Sequence, residues 1–244
     1  KHSQFADGSL KISPKTNELL LLTSFQKNKN LLKENIGVWR LDHAGFFGFK
    51  TQNSNFIYKA GRISAPNLPA HGHGDIFSYE WSLCSQNFII DTGVFEYHPG
   101  SKREYSRSTR AHNTLTIDNQ DQGDFWSSFR LGKRPNVYIN NKKITNNELH
   151  INAFHDGYSH LKGNPIHKRI VNFKLKKLDV TDIVEYKKYH PHKICSRILI
   201  SEKTLFNNCL LNKKFKYFEF FLKDYKKNTL IKIILNSNLP FIIE

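Results

Sequence analysis

An all-β fold, a multi-stranded antiparallel β-sandwich, is what this sequence predicts from Gly37 onward, and three observations carry the prediction. Short runs rich in β-branched and aromatic residues recur, turn chemistry separates them at frequent intervals, and helical periodicity is weak over the same stretch. Phe77-Ser78-Tyr79-Glu80-Trp81-Ser82-Leu83 alternates, Gln86-Asn87 supplies turn residues and Phe88-Ile89-Ile90 resumes an apolar run, which predicts a hairpin. Thr114 to Ile117, Val137 to Ile139, Leu149 to Phe154 and Lys168 to Leu175 are further strands. Pro99-Gly100, Asn140-Asn141 and Asp156-Gly157 are expected to make the tight reversals between them. Two aromatic-rich or apolar strands, Tyr217 to Leu222 and Leu230 to Leu235, close the tail.

The first residues read differently. Asn17 to Phe25 follows Pro14 and precedes a polar run, predicting a short helical arm or linker rather than a sheet strand. The expected division is therefore 1–36 as linker or remnant of a preceding helical domain and 37–244 as the β-sandwich domain.

The 244 residues are near the upper limit for one hydrophobic core, and 39% hydrophobic with 24% charged residues excludes a disordered or collagen-like chain. Thirty-seven Lys and Arg against 21 Asp and Glu leave a net charge of +16, which favours a polyanionic partner: nucleic acid, anionic membrane or acidic polysaccharide. No nucleic-acid motif accompanies the charge, so no specific nucleic acid is expected. The longest apolar run, Leu19 to Leu22, falls far short of the roughly 18 residues of a membrane span. Cys84, Cys195 and Cys209 form no CxxC pair, which argues against a disulfide framework or zinc ribbon and predicts buried thiols. The chain begins at Lys1 and has no methionine, so it is expected to be part of a longer product.

Site-like residues concentrate between His71 and Arg134. His71-Gly72-His73-Gly74-Asp75 sets two imidazoles two residues apart, an arrangement that on an extended segment points both to the same side. Asp91 ends the Phe88 to Ile90 run, and His112 follows in Ser108-Thr109-Arg110-Ala111-His112-Asn113-Thr114. Two histidines and one carboxylate from separate strands can bind a divalent ion, zinc being favoured by imidazole ligation, although any one of these histidines alone is more often a hydrogen-bonded or surface residue than a ligand. Lys102, Arg103, Arg107, Arg110, Arg130 and Arg134 suit carboxylate or sulfate. Trp81 and Trp126 could stack on sugars, but strand aromatics are ordinarily core.

Read together with Ile90-Asp91-Thr92-Gly93, Arg103 to Thr114 and His155-Asp156-Gly157-Tyr158, these motifs resemble the heparinase II/III-like family of polysaccharide lyases over roughly Gly37 to Ile200. The resemblance implies the C-terminal β-sandwich half of such an enzyme, partnered by an N-terminal helical toroid in the same protein that supplies the principal catalytic tyrosine. His71 matches the first histidine of the family's His-x-His motif, implying a catalytic role at the substrate cleft. His73, Asp91 and His112 match the residues that hold a metal ion, most often zinc. Tyr97, after the Asp-x-Gly turn, together with Arg107 and Arg110, is expected to contact substrate.

The implied reaction is β-elimination on a uronic-acid polysaccharide. Removing the C5 proton drives charge toward a carboxylate already negative, so cations or donors must be aimed there. An imidazole titrating near neutrality suits His71 as base or as carboxylate partner. Export to a bacterial cell envelope or periplasm is implied by the same resemblance. A non-catalytic, metal-stabilised acidic-glycan-binding module is the alternative.

Overall fold

Alternating burial along successive strands builds two antiparallel meanders that meet face to face. The computed structural model describes residues 5–6, 36–84, 86–174 and 177–201, and the backbone of strands 212–214, 217–224 and 229–236. The predicted arm at 1–36 therefore lies almost wholly outside the described residues. The first sheet runs in order β1 (Gly37–Leu41), β2 (Phe46–Lys50), β3 (Ser54–Lys59), β4 (Tyr79–Leu83) and β5 (Gln86–Ile89). The short strand β6 (Leu115–Ile117) and the hairpin of β7 (Phe125–Ser127) and β8 (Arg130–Leu131) precede the second sheet. That sheet has the order β12 (Lys177–Glu185), β11 (Ile166–Lys174), β10 (Glu148–His155), β9 (Val137–Thr145). Strand β13 (Ile194–Ser196) pairs with β6, and β14 (Asn212–Lys214), β15 (Tyr217–Asp224) and β16 (Thr229–Asn236) form a separate meander. One α-helix, α1 (Ser101–Arg107), occurs among the described residues, and no helix there is long and apolar enough to cross a membrane.

Aromatic rings fill the space between the sheets. Phe56 of β3 stacks on Phe173 of β11 at 4.5 Å, and Trp81 of β4 meets the same ring edge-on at 5.4 Å. Leu149, Ile151, Ala153 and Val171 complete the seam from the second sheet, all fully buried. Trp81 is thus core, as strand aromatics ordinarily are, whereas Trp126 is 61% exposed.

Three turn expectations need correction. Gln86-Asn87 belongs to β5, paired with Leu83 and Ser82, and the reversal falls earlier, at Cys84 with φ 47°. Asn140-Asn141 lies inside β9: Asn141 faces Asn152 and Ile139 faces Ala153, leaving Asn140 as the extra residue of a bulge. Gly100 caps the N-terminus of α1 rather than turning a hairpin. Asparagine tolerates both turns and bulges, so composition alone does not separate them. Cys84 and Cys195 are half-buried rather than buried.

The inward face of the second sheet changes character along its length. On β11 the buried positions run Phe173, Val171, Arg169, His167, and opposite them on β10 sit Leu149, Ile151, Ala153 and His155. One end of the seam is apolar and the other ionic. Arg169, 1% exposed, pairs with Asp182 through Nε and Nη2, both at 2.6 Å, and its Nη1 donates to the carbonyls of Phe77 and Asn113. These carbonyls belong to loops outside the second sheet, so the guanidinium ties that sheet to the segments that carry the candidate site.

Two histidines extend this network with defined tautomers. His155 Nδ1 accepts the Gly157 N–H, so its proton resides on Nε2 and is donated to His167 Nδ1 at 3.0 Å. His167 in turn donates from Nε2 to Asp182 at 2.8 Å. Burial drives the His155 imidazole well below its ordinary value, with His167 and Arg169 adding to the effect. Burial also lowers His167 against the pull of Asp182.

Removing one partner of the ion pair leaves the other charge buried, so Arg169→Met should cost about 3–5 kcal/mol in denaturant unfolding, and the double variant with Asp182→Asn less than the sum of the singles. Simple additivity would show that the two act separately. A pH dependence follows from the histidines. Above the unfolded imidazole value of 6.5, folded and unfolded chains are both neutral at these positions. Below it only the unfolded chain takes up protons, so stability falls as pH falls, by up to ~1.4 kcal/mol per pH unit per histidine. His155→Gln should flatten the stability loss between about pH 6.5 and 5 by roughly one such increment. Equal slopes in wild type and variant would contradict the assignment.

Candidate active site

The segment between β3 and β4 carries the two motif histidines, and close packing fixes its course. Pro69 to His71 forms one 3₁₀ turn, after which Gly72 and Gly74 flank His73. A Cβ on Gly74 would lie 2.3 Å from Thr109 Oγ1, so only glycine permits this approach, and the Gly74 N–H donates to Arg107 O at 2.8 Å. His71 is exposed and His73 fully buried. The expectation that both point to the same side fails because His71 closes a 3₁₀ turn, where the two-residue period of a strand does not apply.

Two buried arginines of α1 brace the turn. Arg103 Nη2 donates to Ala70 O at 3.0 Å, and Arg107 donates to Gly72 O at 3.0 Å and Pro69 O at 3.1 Å. Arg107 Nη1 also reaches Ser127 O at 2.9 Å, joining the turn to the β7–β8 hairpin. Arg107, expected to contact substrate, is 1% exposed and committed to main-chain carbonyls, the position of a brace. Arg110 is exposed and lies over Tyr105 at 5.2 Å. Tyr97, 41% exposed, sits 6.4 Å from the His71 ring and 5.1 Å from the Arg103 guanidinium.

Beneath the turn, His73, Asp91 and His112 come together, all essentially inaccessible. The His73 and His112 rings are 5.4 Å apart, and His112 Nδ1 is 2.9 Å from both Asp91 oxygens. Asp91 also accepts the Ser78 hydroxyl and the Gly93 N–H. Burial pushes the Asp91 carboxyl up, but His112 and these two donors outweigh it and hold the group below the usual carboxylate range. Burial likewise disfavours the His112 cation, and Asp91 reverses the balance and raises that imidazole.

Among the described residues no three His, Cys, Asp or Glu side chains form a ready-made metal cage, and both Asp91 oxygens face His112 Nδ1. The donor set nevertheless suits a divalent ion: two imidazoles and a carboxylate, buried together, with His112 Nε2 making no hydrogen bond. In the neutral ring, with the Nδ1–H donated to Asp91, Nε2 keeps an orphaned lone pair at a cost of about 1–3 kcal/mol, which a Lewis acid would offset.

Sequence reading missed the supports of this group. Lys59 and Asp75 form a buried ion pair two residues beyond His73. Asn113 donates from Nδ2 to Tyr79 O and Ile90 O and accepts Leu199 N–H, stitching β4, the end of β5 and the 199 segment around His112. Gln122 pairs with Ile76 in both directions, its Oε1 accepting and Nε2 donating at 3.0 Å each. Only Arg169 and His167 carried a signal, since they fall on the inward positions of an alternating strand.

Comparison with known proteins agrees with this architecture. A family model described as heparinase II/III-like, C-terminal, matches residues 34–215. Over 86 residues the chain is 34% identical to the heparin-sulfate lyase of Pedobacter heparinus, covering 33% of this chain and 13% of that one. The solved heparan sulfate lyase HepC of the same organism superimposes with a TM-score of 0.66 at 21% identity, over 89% of this chain and 34% of its own. A heparinase III, the BT4657 gene product, gives 0.61 at 17% over 90% and 35%. At such identities the structures show a common fold, and the chain spans about a third of their length. With the family match extending over residues 34–215, this chain belongs to the heparinase II/III-like C-terminal domain family.

Proposed function

We propose that this chain is the β-sandwich portion of a polysaccharide lyase that cleaves uronate-containing acidic glycans by β-elimination, working with an N-terminal helical domain that supplies the main catalytic tyrosine. The supporting observation is one exposed imidazole, His71, on a turn braced by Arg103 and Arg107 and seated over the buried His73–Asp91–His112 group. Rigid mounting of a titratable group beside open surface is what general acid–base chemistry requires. In the reaction a base takes the C5 proton, the C4–O bond breaks as the C4–C5 double bond forms, and the leaving oxygen gains a proton. His71 acts either as that base or as a partner of the substrate carboxylate, whose developing charge needs a donor. Tyr97 and Arg110, both exposed, supply substrate contacts.

A divalent ion, zinc by its preference for imidazole and carboxylate, would be held by His73, Asp91 and His112. It would supply a fixed positive charge and rigid cross-link below the turn. His73 lies two residues from His71, so its anchoring sets the position of the catalytic imidazole.

Full-length protein incubated with uronate polymers should release unsaturated products that absorb in the ultraviolet. His71→Ala should lower kcat by about 10²–10⁴-fold with little change in Tm, because the side chain is exposed. Full turnover in that variant would remove His71 from the mechanism; silence of the wild type across several uronate polymers would leave a glycan-binding module instead. For the metal, His73→Ala should lower bound zinc and Tm together, measured by elemental analysis and thermal unfolding. A variant that loses activity while retaining both would contradict the anchoring role.

A further inference from the structure

Between α1, its following turn and the β7–β8 hairpin lies a cleft of about 420 Å³, within the ~300–1,000 Å³ of small-molecule sites. Its wall carries Arg110, Arg197 and Trp126, together with the carboxylates of Glu104 and Asp121. Arg110 and Arg197 differ from the buried arginines of the domain. Arg103, Arg107 and Arg169 are buried and spend their N–H groups on main-chain carbonyls or Asp182. Arg110 makes no side-chain hydrogen bond among the described residues, its guanidinium lying over Tyr105 within electrostatic reach of Asp121, and the Arg197 guanidinium donates there only to Thr116 Oγ1 at 3.1 Å. Two forks with unspent donors thus share one wall, and a planar guanidinium matches carboxylate or sulfate in paired hydrogen bonds.

Trp126 adds a second kind of surface. Its indole is 61% exposed at the cleft edge, with Arg130 5.4 Å from the ring centre. An apolar plane left open beside unspent cations fits the C–H face of a pyranose ring that bears an acidic group. The two carboxylates refine the choice. Glu104 already accepts the Ser128 hydroxyl and Asp121 the Thr109 N–H, so remaining lone pairs can take sugar hydroxyls but repel a bare anion.

We propose that this cleft is a binding subsite for one acidic sugar unit, uronate or sulfated, with Arg110 and Arg197 on the anionic group and Trp126 against the ring. The inference rests on the acidic-glycan reading above and extends it: Arg107 borders the cleft and also bonds the carbonyls of Pro69 and Gly72. Arg107 thus mechanically joins the turn that carries His71 to the wall of the cleft.

Calorimetric titration of this chain with a sulfated, uronate-containing tetrasaccharide tests the subsite. Arg110→Ala and Arg197→Ala should each weaken binding by about ten- to a hundredfold, the loss expected for hydrogen bonds to a charged group. Arg197→Lys, which keeps the charge but loses the fork, should also weaken it, guarding against misfolding as the cause. Trp126→Ala should lose about tenfold and Trp126→Phe much less, while Lys177→Ala, an equal charge change on β12, should bind as wild type. Inorganic sulfate should compete poorly. Tetrasaccharide binding that survives all the cleft substitutions overturns the subsite and leaves the acidic-glycan reading standing. Failure of the wild-type chain to bind also overturns it, and the product assay on full-length protein then judges that broader reading separately.

Discussion

One guanidinium holds the two halves of this structure in register. Arg169 projects from the second sheet, is neutralised by Asp182, and hands its remaining N–H groups to the carbonyls of Phe77 and Asn113. Both carbonyls belong to irregular backbone, where no neighbouring strand can satisfy them, and a buried carbonyl without a donor is costly. Phe77 sits at φ 69°, outside ordinary strand geometry, two residues before β4 begins. The charge pair therefore contributes less through net stability, which desolvation largely cancels, than through fixing where these loops run. Asn113 directly follows His112, so that constraint bears on the candidate site.

Much of the sandwich was legible because alternation is a local property. Leu149 to Phe154 and Lys168 to Leu175 became β10 and β11 within two residues at each end, and their inward positions follow the two-residue period. The same period, carried one step past Val171, already pointed Arg169 and His167 inward, a signal easily lost when only apolar residues are counted as core. What remained hidden depends on partners distant in sequence. Arg103 and Arg107 look like surface cations, yet their acceptors are carbonyls, which have no letter in a sequence. The pairing of Lys59 with Asp75 likewise joins a strand end to a loop with no pattern to announce it.

This distinction also disciplines the net charge of +16. A charge surplus says that the protein attracts polyanions in general, and salt would weaken that attraction at any exposed site. Recognition needs donors that are both accessible and unspent. Several cations near the site fail on one count or the other: Lys59 is paired and buried, Arg103 and Arg107 serve the backbone, and Arg134 is tied to the Ala65 and Pro66 carbonyls. Arg110 and Arg197 meet both requirements, and they do so beside an open indole.

The contrast between His71 and His73 shows how a buried group can serve an exposed one. The two residues are separated by a single glycine whose neighbours leave no room for a side chain, since a Cβ there would come 2.8 Å from Ile63 and Ser64. Movement of the buried ring would therefore carry directly into the exposed turn, because the intervening backbone has nowhere to bend. Arg107 restrains the same peptide from the other side, through Gly72 O and Pro69 O. Anchoring from below and bracing from α1 together leave His71 with side-chain freedom but little backbone freedom. The proton-transfer role proposed for His71 tolerates the first better than the second, because a rotamer can be selected on binding whereas a displaced backbone moves the whole imidazole out of reach.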